Sequence, residues 1–314
     1  MSDNKKEHRT SIGGQAVIEG VMMRGPKSTA IAVRKPDGDI IVEQAPIASI
    51  FQKHKWLKMP IIRGCVAFFE SMIVGVKALM FSADFFDIEG EEEEKPSKID
   101  LWLEKTFGDK LKEYVIYFSV FLSLIFGIGI FILLPSFLVN IFKPENAMQK
   151  TLIEATIKIS LFVGYLALIS RMKDIQRVFE YHGAEHKTIH CYEAGDELTV
   201  ENVRKFKRLH PRCGTSFLLI VIVVSIFVFM FIPNNLVWYV RAGLRLALLP
   251  FVAGLAYEII KYAGRHDNAF TRIISAPGMT MQYLTTREPD DKQIEVAIAS
   301  LKAVQTSDKE EDKW

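Results

Sequence analysis

The residues best equipped for chemistry lie in one short run, Tyr181-His182-Gly183-Ala184-Glu185-His186-Lys187-Thr188-Ile189-His190-Cys191-Tyr192-Glu193. If the run is helical, 100° per residue places His182, Glu185, His186, His190 and Glu193 within about 140° of arc. Imidazoles four residues apart then lie one turn above each other, where two can meet one cation. His182-x-x-Glu185-His186 also has the H-x-x-E-H form of the inverted zinc peptidases, whose paired histidines hold zinc while the glutamate acts as base on activated water. Five residues speak for a metal site more than for proteolysis. A hydrogen-bonded structural cluster and a site for a phosphate-like anion are the two other readings of the same run.

Further candidates lie downstream. In Arg208-Leu209-His210-Pro211-Arg212-Cys213-Gly214-Thr215-Ser216, His210 and Cys213 could add ligands, since neutral imidazole and thiolate both suit zinc. Arg208 and Arg212 could instead hold a carboxylate or phosphate; the structural alternative is a helix start with Arg212 reaching toward headgroups. Glu258 stands in an apolar stretch, where an ionisable group is costly unless paired. It is a candidate ligand, or the partner of Lys261 or Arg245. Gly13-Gly14-Gln15 and Glu19 to Arg24 lack the phosphate-loop and dinucleotide spacings, so the glycines read as turn residues, with Glu19 and Arg24 possible lining groups.

The elements that must carry these residues are apolar. The 314 residues are 49% hydrophobic and 24% charged, with 22 Phe, and the mean hydropathy is +0.16. An average charge with a positive hydropathy excludes a disordered chain, and three Cys exclude a disulfide scaffold. A net charge of +2, from 39 basic and 37 acidic residues, gives no support to nucleic-acid binding. No secretory signal follows the polar first ten residues. The uninterrupted apolar run 114–142 exceeds the ~20 residues that cross a bilayer, with Pro135 expected to kink or end it. Runs 151–170, 214–238 and 241–262 supply three further spans. The stretch 65–86 is long enough to span, but it carries Glu70, Lys77 and Asp84, and reads as an interfacial or core-packed amphipathic helix.

Loop charges then set the orientation. Residues 171–213 hold Arg171, Lys173, Arg177, Lys187, Arg204, Lys205, Lys207, Arg208 and Arg212, whereas the loops at 143–150 and 233–237 are short and carry little net charge. The expected fold is therefore an α-helical polytopic membrane protein of about four transmembrane helices. Both termini, a small N-terminal β-containing portion and the His/Cys-rich loop 171–213 are placed in the cytoplasm. Reduced thiols are expected there.

By segment, 1–10 reads as a disordered N-terminus and 11–87 as a β hairpin or sheet followed by the amphipathic helix. Within it, one strand is expected over 15–23, and two more at 29–34 and 40–44 flank a Pro36-Asp37-Gly38 turn. The run 88–98, with four consecutive Glu, reads as an acidic linker, and 99–288 as the membrane domain. Pro289-Asp290-Asp291 signals a C-terminal helix within 289–305, with Ile294, Ile298 and Leu301 on one stripe, and 306–314 as a disordered tail.

The segments Gly13-Gly14-Gln15-Ala16-Val17-Ile18-Glu19-Gly20-Val21-Met22-Met23-Arg24-Gly25-Pro26, Tyr181 to Glu193 and His210-Pro211-Arg212-Cys213-Gly214-Thr215-Ser216-Phe217 together resemble the YqhQ-type domain-of-unknown-function family of bacterial membrane proteins. The runs 264–269 and 275–278 fit it too, and the resemblance covers about 11–304. It implies a metal-dependent enzyme of a bacterial cytoplasmic membrane, without an established substrate. The expected chemistry is hydrolysis of a lipid-linked or membrane-proximal substrate at the cytoplasmic face. His182 and His186 would hold a divalent metal, zinc by ligand type. His190, His210, Cys213 or Glu258 would complete the shell, with Glu185 as base. The competing expectation is a noncatalytic membrane scaffold or regulator with a structural metal or polar cluster. A transporter is a weaker third.

Overall fold

The computed structural model describes residues 8–47, 55–86, 111–233, 236–266, 268–306 and 311–313. The expected acidic linker, most of the first ten residues and most of the tail fall outside these. The chain divides into two compact units, one of residues 1–86, 163–231 and 246–314, the other of 87–162 and 232–245.

In the first unit an antiparallel meander, β1 (Gly13–Val17), β2 (Gly20–Arg24), β3 (Ser28–Arg34) and β4 (Ile40–Pro46), forms one four-stranded sheet in sequence order. The single strand expected over 15–23 is in fact a hairpin, with Val17 paired to Gly20 across a two-residue turn. Glu19 there takes a positive φ of 49°. The strain is held by its carboxylate, which accepts from the Arg177 guanidinium and from the Tyr181 hydroxyl at 3.1 Å. The turn between β3 and β4 is the expected one, with Gly38 at φ 95°.

Side chains alternate across a strand, so β2 buries both faces. Val21 and Met23 join a core with Tyr181, Ala184, Ile294 and Leu301, whereas Met22 joins Val17 and Ala78. The first core is built against two helices, Lys173–Ala194 and Asp291–Val304; the second faces helix α1 (Ile62–Ala83). The C-terminal helix starts as its sequence signals. Asp290 and Gln293 form a reciprocal capping box, and Ile294, Ile298 and Leu301 are buried.

The remaining elements are helical, beginning with a 3-10 turn Lys55–Lys58 ahead of α1. After α1 they are, in order, α2 (Leu111–Ile128), a π-helical turn Gly129–Leu133, α3 (Leu134–Leu138), a 3-10 turn Val139–Phe142, α4 (Ala147–Ile169), α5 (Lys173–Ala194), α6 (Val200–Arg204), α7 (Gly214–Met230), α8 (Trp238–Arg265), α9 (Ala269–Thr285) and α10 (Asp291–Val304). Pro135 neither ends nor breaks its run. It sits in the first turn of α3, where its missing N–H costs nothing, just after the π-helical turn. Four helices among the described residues are long and apolar enough to cross a membrane: Ile62–Ala83, Tyr117–Phe142, Met148–Ile169 and Trp238–Arg265. The expected span at 214–238 is a shorter, 17-residue helix, Gly214–Met230, ending before Pro233.

In the second unit, Arg245 donates to both oxygens of Glu154, at 2.6 and 2.9 Å, and Lys158 lies 3.5 Å from the same carboxylate. All three side chains are buried. Arg245 is thus engaged by Glu154, not by Glu258.

Candidate metal centre

Helix α5 positions the site. Its first turn carries Asp174 at the positive end of the helix dipole, and Gly195, at φ 76°, turns the chain out at the other end. Between Tyr181 and Tyr192 the helix is buried almost all round despite its polar sequence, so its polar groups must find partners in the protein. Close approach is secured at Gly183, where a Cβ would overlap the carbonyl oxygen of Arg287. The chain after α9 can therefore lie directly on α5, with the Arg287 N–H donating to Phe179 O at 2.9 Å.

The two histidines are oriented by this wrapping. His182 Nδ1 lies 2.8 Å from Thr285 O, and His186 Nδ1 lies 2.6 Å from Arg208 O. A carbonyl can only accept, so each Nδ1 donates its proton and each ring turns its Nε2 inward. His182 Nε2 is 3.2 Å from Cys213 Sγ, and the two imidazole centroids are 4.4 Å apart. Among the described residues, His186 Nε2 and Glu185 Oε2 are buried without a hydrogen-bond partner. One ligand atom each from His182, His186 and Cys213 falls within 4.8 Å of the others. Ligands around a tetrahedral zinc, at about 2.0–2.3 Å from the ion, stand roughly 3.3–3.8 Å apart, so a small closure of the side chains suffices. Orphaned buried nitrogen, paired imidazoles and a thiol are a donor set that fits a divalent cation of the zinc class.

Charge follows the geometry. Burial disfavours a thiolate at Cys213, but His182 and His186 override it and hold the thiol well below its ordinary range. Burial lowers His182, and the Cys213 sulfur, with Glu185 and the Thr285 carbonyl, more than reverses that, raising it to about 9. Glu185 is raised by burial, against the pull of His186 and His182. Its Oε1 accepts from the Gly14 N–H at 3.0 Å, so strand β1 fixes the carboxylate from outside the helix.

Not every expected ligand joins this group. His190, Glu193 and His210 converge separately, also within 4.8 Å. Their cation is Arg212, whose guanidinium binds Glu193 and reaches 3.3 Å from His210 Nε2. His190 Nε2 donates to Leu209 O at 2.9 Å. Burial lowers both rings, and His210 well below its ordinary value. The sequence reading of one large shell therefore resolves into two adjoining groups. Glu258 belongs to neither, because Arg63 from α1 binds both its oxygens and Ile61 N–H donates to it at 3.3 Å.

Several positioning groups escaped the sequence reading. Gln282, fully buried on α9, accepts from His210 N at 2.8 Å and donates to His210 O at 2.7 Å, pinning the loop that ends at Cys213. Gly14 read as a turn residue; its actual task is to bring a backbone donor to Glu185. A cavity of about 330 Å³ opens on the group, lined by Gly13, Gly14, Arg24, Ser71, Val74, His182, Glu185, His186, His210, Arg212 and Cys213.

A mostly helical chain with membrane-length helices, a small sheet and a largely buried His–His–Cys group is the class that fold and site define. The chain belongs to the family described as "Protein of unknown function (DUF1385)", whose model matches residues 59–307. It is 37% identical over 291 residues to "Uncharacterized protein YqhQ" of Bacillus subtilis (strain 168), covering 92% of this chain and 90% of that protein. No solved structure matches.

Proposed function

We propose that this protein is a metal-dependent hydrolase of a bacterial cytoplasmic membrane, with both termini and its site facing the cytoplasm. The observation that carries the reading is the convergence of His182, His186 and Cys213 beside the buried carboxylate of Glu185. A divalent cation of the zinc class, when bound, supplies an acidified water and a Lewis acid. The chain supplies the rest. His182 and His186 are held in one tautomer by Thr285 and Arg208. His182, His186 and Cys213 would hold that cation at the wall of the cavity. Glu185, anchored through Oε1, presents Oε2 as the atom that takes a proton from the attacking water. It returns that proton to the leaving oxygen as the substrate bond breaks.

Metal analysis of the full-length protein in mild detergent tests the reading, with His182→Ala and Glu185→Gln beside the wild type and a panel of ester and phosphodiester probes. The expectation is stoichiometric zinc-class metal in the wild type and in Glu185→Gln, its loss in His182→Ala, and hydrolysis lost in both variants. Wild type without stoichiometric metal overturns the assignment; hydrolysis surviving in Glu185→Gln overturns the role of Glu185.

A further inference from the structure

We infer that the cavity admits an anionic amphiphile from the membrane surface, with helix α1 lying in the leaflet as its entrance wall. The inference rests on the hydrolase reading and names the substrate class.

Helix α1 has two faces. One is committed to the sheet: Glu70 is 3.3 Å from the Arg24 guanidinium, Gly75 closes on the Gln15 side chain, and Ala78 packs with Val17 and Met22. The other exposes Phe68, Phe69, Ile73 and Leu79, which 100° per residue places within about 140° of arc. The segment before it exposes Trp56 at 58% and Met59 at 55%, beside an exposed Lys58. Aromatic and long apolar side chains with a flanking lysine are what an anionic leaflet takes up.

Connectivity says why this helix lies along the surface. The sheet, α5 and α10 share one core, so all three are on the same side of a membrane. The chain leaves that side and returns between β4 and α5, and again between α6 and α10, so each excursion holds an even number of crossings. The wholly apolar, 17-residue α7 and the longer α8 would serve the second. In the first, among the described residues, Tyr117–Phe142 and Met148–Ile169 are separated by five residues and would cross as a pair. That leaves α1 on the side of the sheet. Its contacts agree: Phe68 meets Phe217, one turn into α7 from Cys213, with ring centroids 6.1 Å apart.

The same helix is a wall of the site. Ser71 and Val74 line the cavity that holds His182, His186 and Cys213, so the leaflet-facing helix borders the reacting centre directly. Arg24, paired with Glu70 at 3.3 Å, and Arg212, paired with Glu193, line it as well, so an anionic headgroup at the polar end of the ligand would meet their remaining guanidinium N–H groups. Acyl chains would stay along the exposed face of α1 while the headgroup enters.

The test uses the full-length protein in nanodiscs of equimolar phosphatidylethanolamine and phosphatidylglycerol, with photoreactive p-benzoylphenylalanine placed singly at Ile73, Ser71, Phe227 or Lys292. Phe227, exposed on α7, is the membrane control, and Lys292, exposed on α10, the aqueous one. Mass spectrometry should find lipid adducts at Ile73, Ser71 and Phe227 but not at Lys292. Phosphatidylglycerol adducts should be enriched at least threefold at Ser71 over Phe227. Adducts at Phe227 without any at Ile73 overturn the surface placement. Adducts at Ile73 without any at Ser71 overturn the entrance, and equal headgroup ratios at Ser71 and Phe227 overturn the anionic preference. Metal content measured on the same samples reads the hydrolase assignment separately: loss of metal with the adducts intact counts against that assignment alone.

Discussion

The backbone N–H of Gly14 donates to Glu185 Oε1 at 3.0 Å, joining a strand and a helix 171 residues apart in sequence. The approach depends on the missing side chain. A Cβ on Gly14 would stand 2.5 Å from Met22 O and 3.1 Å from the Glu185 carboxyl carbon. Gly14→Ala should therefore displace the carboxylate or part β1 from β2. Overpacking of this kind costs about 1–3 kcal/mol. The expected phenotype is a lowered unfolding midpoint and loss of the proposed hydrolysis with metal retained, since none of the three proposed ligands lies on the strand. Chemical denaturation alongside metal analysis checks it; an unchanged midpoint would show that β1 has room to yield.

Cys213 both faces His182 and caps α7, its sulfur accepting from Thr215 N at 3.4 Å. Cys213→Ser separates these roles, because a serine hydroxyl is a strong helix N-cap but a poor partner for a zinc-class cation. Metal affinity should fall roughly 100-fold or more, since even changes behind a ligand cost 10–100-fold. Helix content by circular dichroism should not change. Tight metal binding by this variant would remove Cys213 from the donor set.

Some of this was legible in the sequence for local reasons. Helical spacing placed His182, Glu185 and His186 on one face, Pro36-Asp37-Gly38 made its turn, and the stripe Ile294, Ile298, Leu301 marked the face of α10 that is buried. The family resemblance rested on real identities. What stayed hidden depends on groups distant in the chain. Nothing local tells that Arg212 supplies the cation for His190, Glu193 and His210, or that Arg63 engages Glu258. Gln282 gave no signal, because a glutamine on an apolar helix looks like surface until its helix is packed. Helix α9 drew no expectation of its own; Pro277 and Gly278 lie inside it, and Gly278 admits Ser216. The π-helical turn before Pro135 is likewise invisible to composition.

Cys191 is buried on the face of α5 opposite His182, and burial raises its thiol to about 11, with Asp196 adding to the effect. The unfolded chain ionises the same thiol near its ordinary value of 9.0. A raised acid stabilises the fold only while both states are protonated. Its contribution is therefore complete below pH 9 and is lost as pH rises toward about 11. Cys191→Ala should flatten the pH dependence of the unfolding midpoint across that interval relative to the wild type. Parallel curves for the two proteins would place the alkaline loss elsewhere, for example on Tyr181 and Tyr192, whose hydroxyls are also raised by burial.

Glu154 faces two cations, Arg245 at 2.6 Å and Lys158 at 3.5 Å, with Ser136 Oγ donating to it at 3.1 Å. Removing one partner of a buried ion pair typically costs about 3–5 kcal/mol, because the group left behind keeps its desolvation without its counter-charge. The two possible truncations are unequal here. Arg245→Met leaves Glu154 facing Lys158, one charge of each sign. Glu154→Gln leaves Arg245 and Lys158 buried together with no carboxylate between them. Glu154→Gln should accordingly be the more destabilising, near the upper end of that range, and Arg245→Met should fall below it. Unfolding of the detergent-solubilised full-length protein by a titrated denaturing detergent orders the two variants directly. The reverse order would mean that Lys158, not Glu154, is the group whose charge the neighbouring helices neutralise.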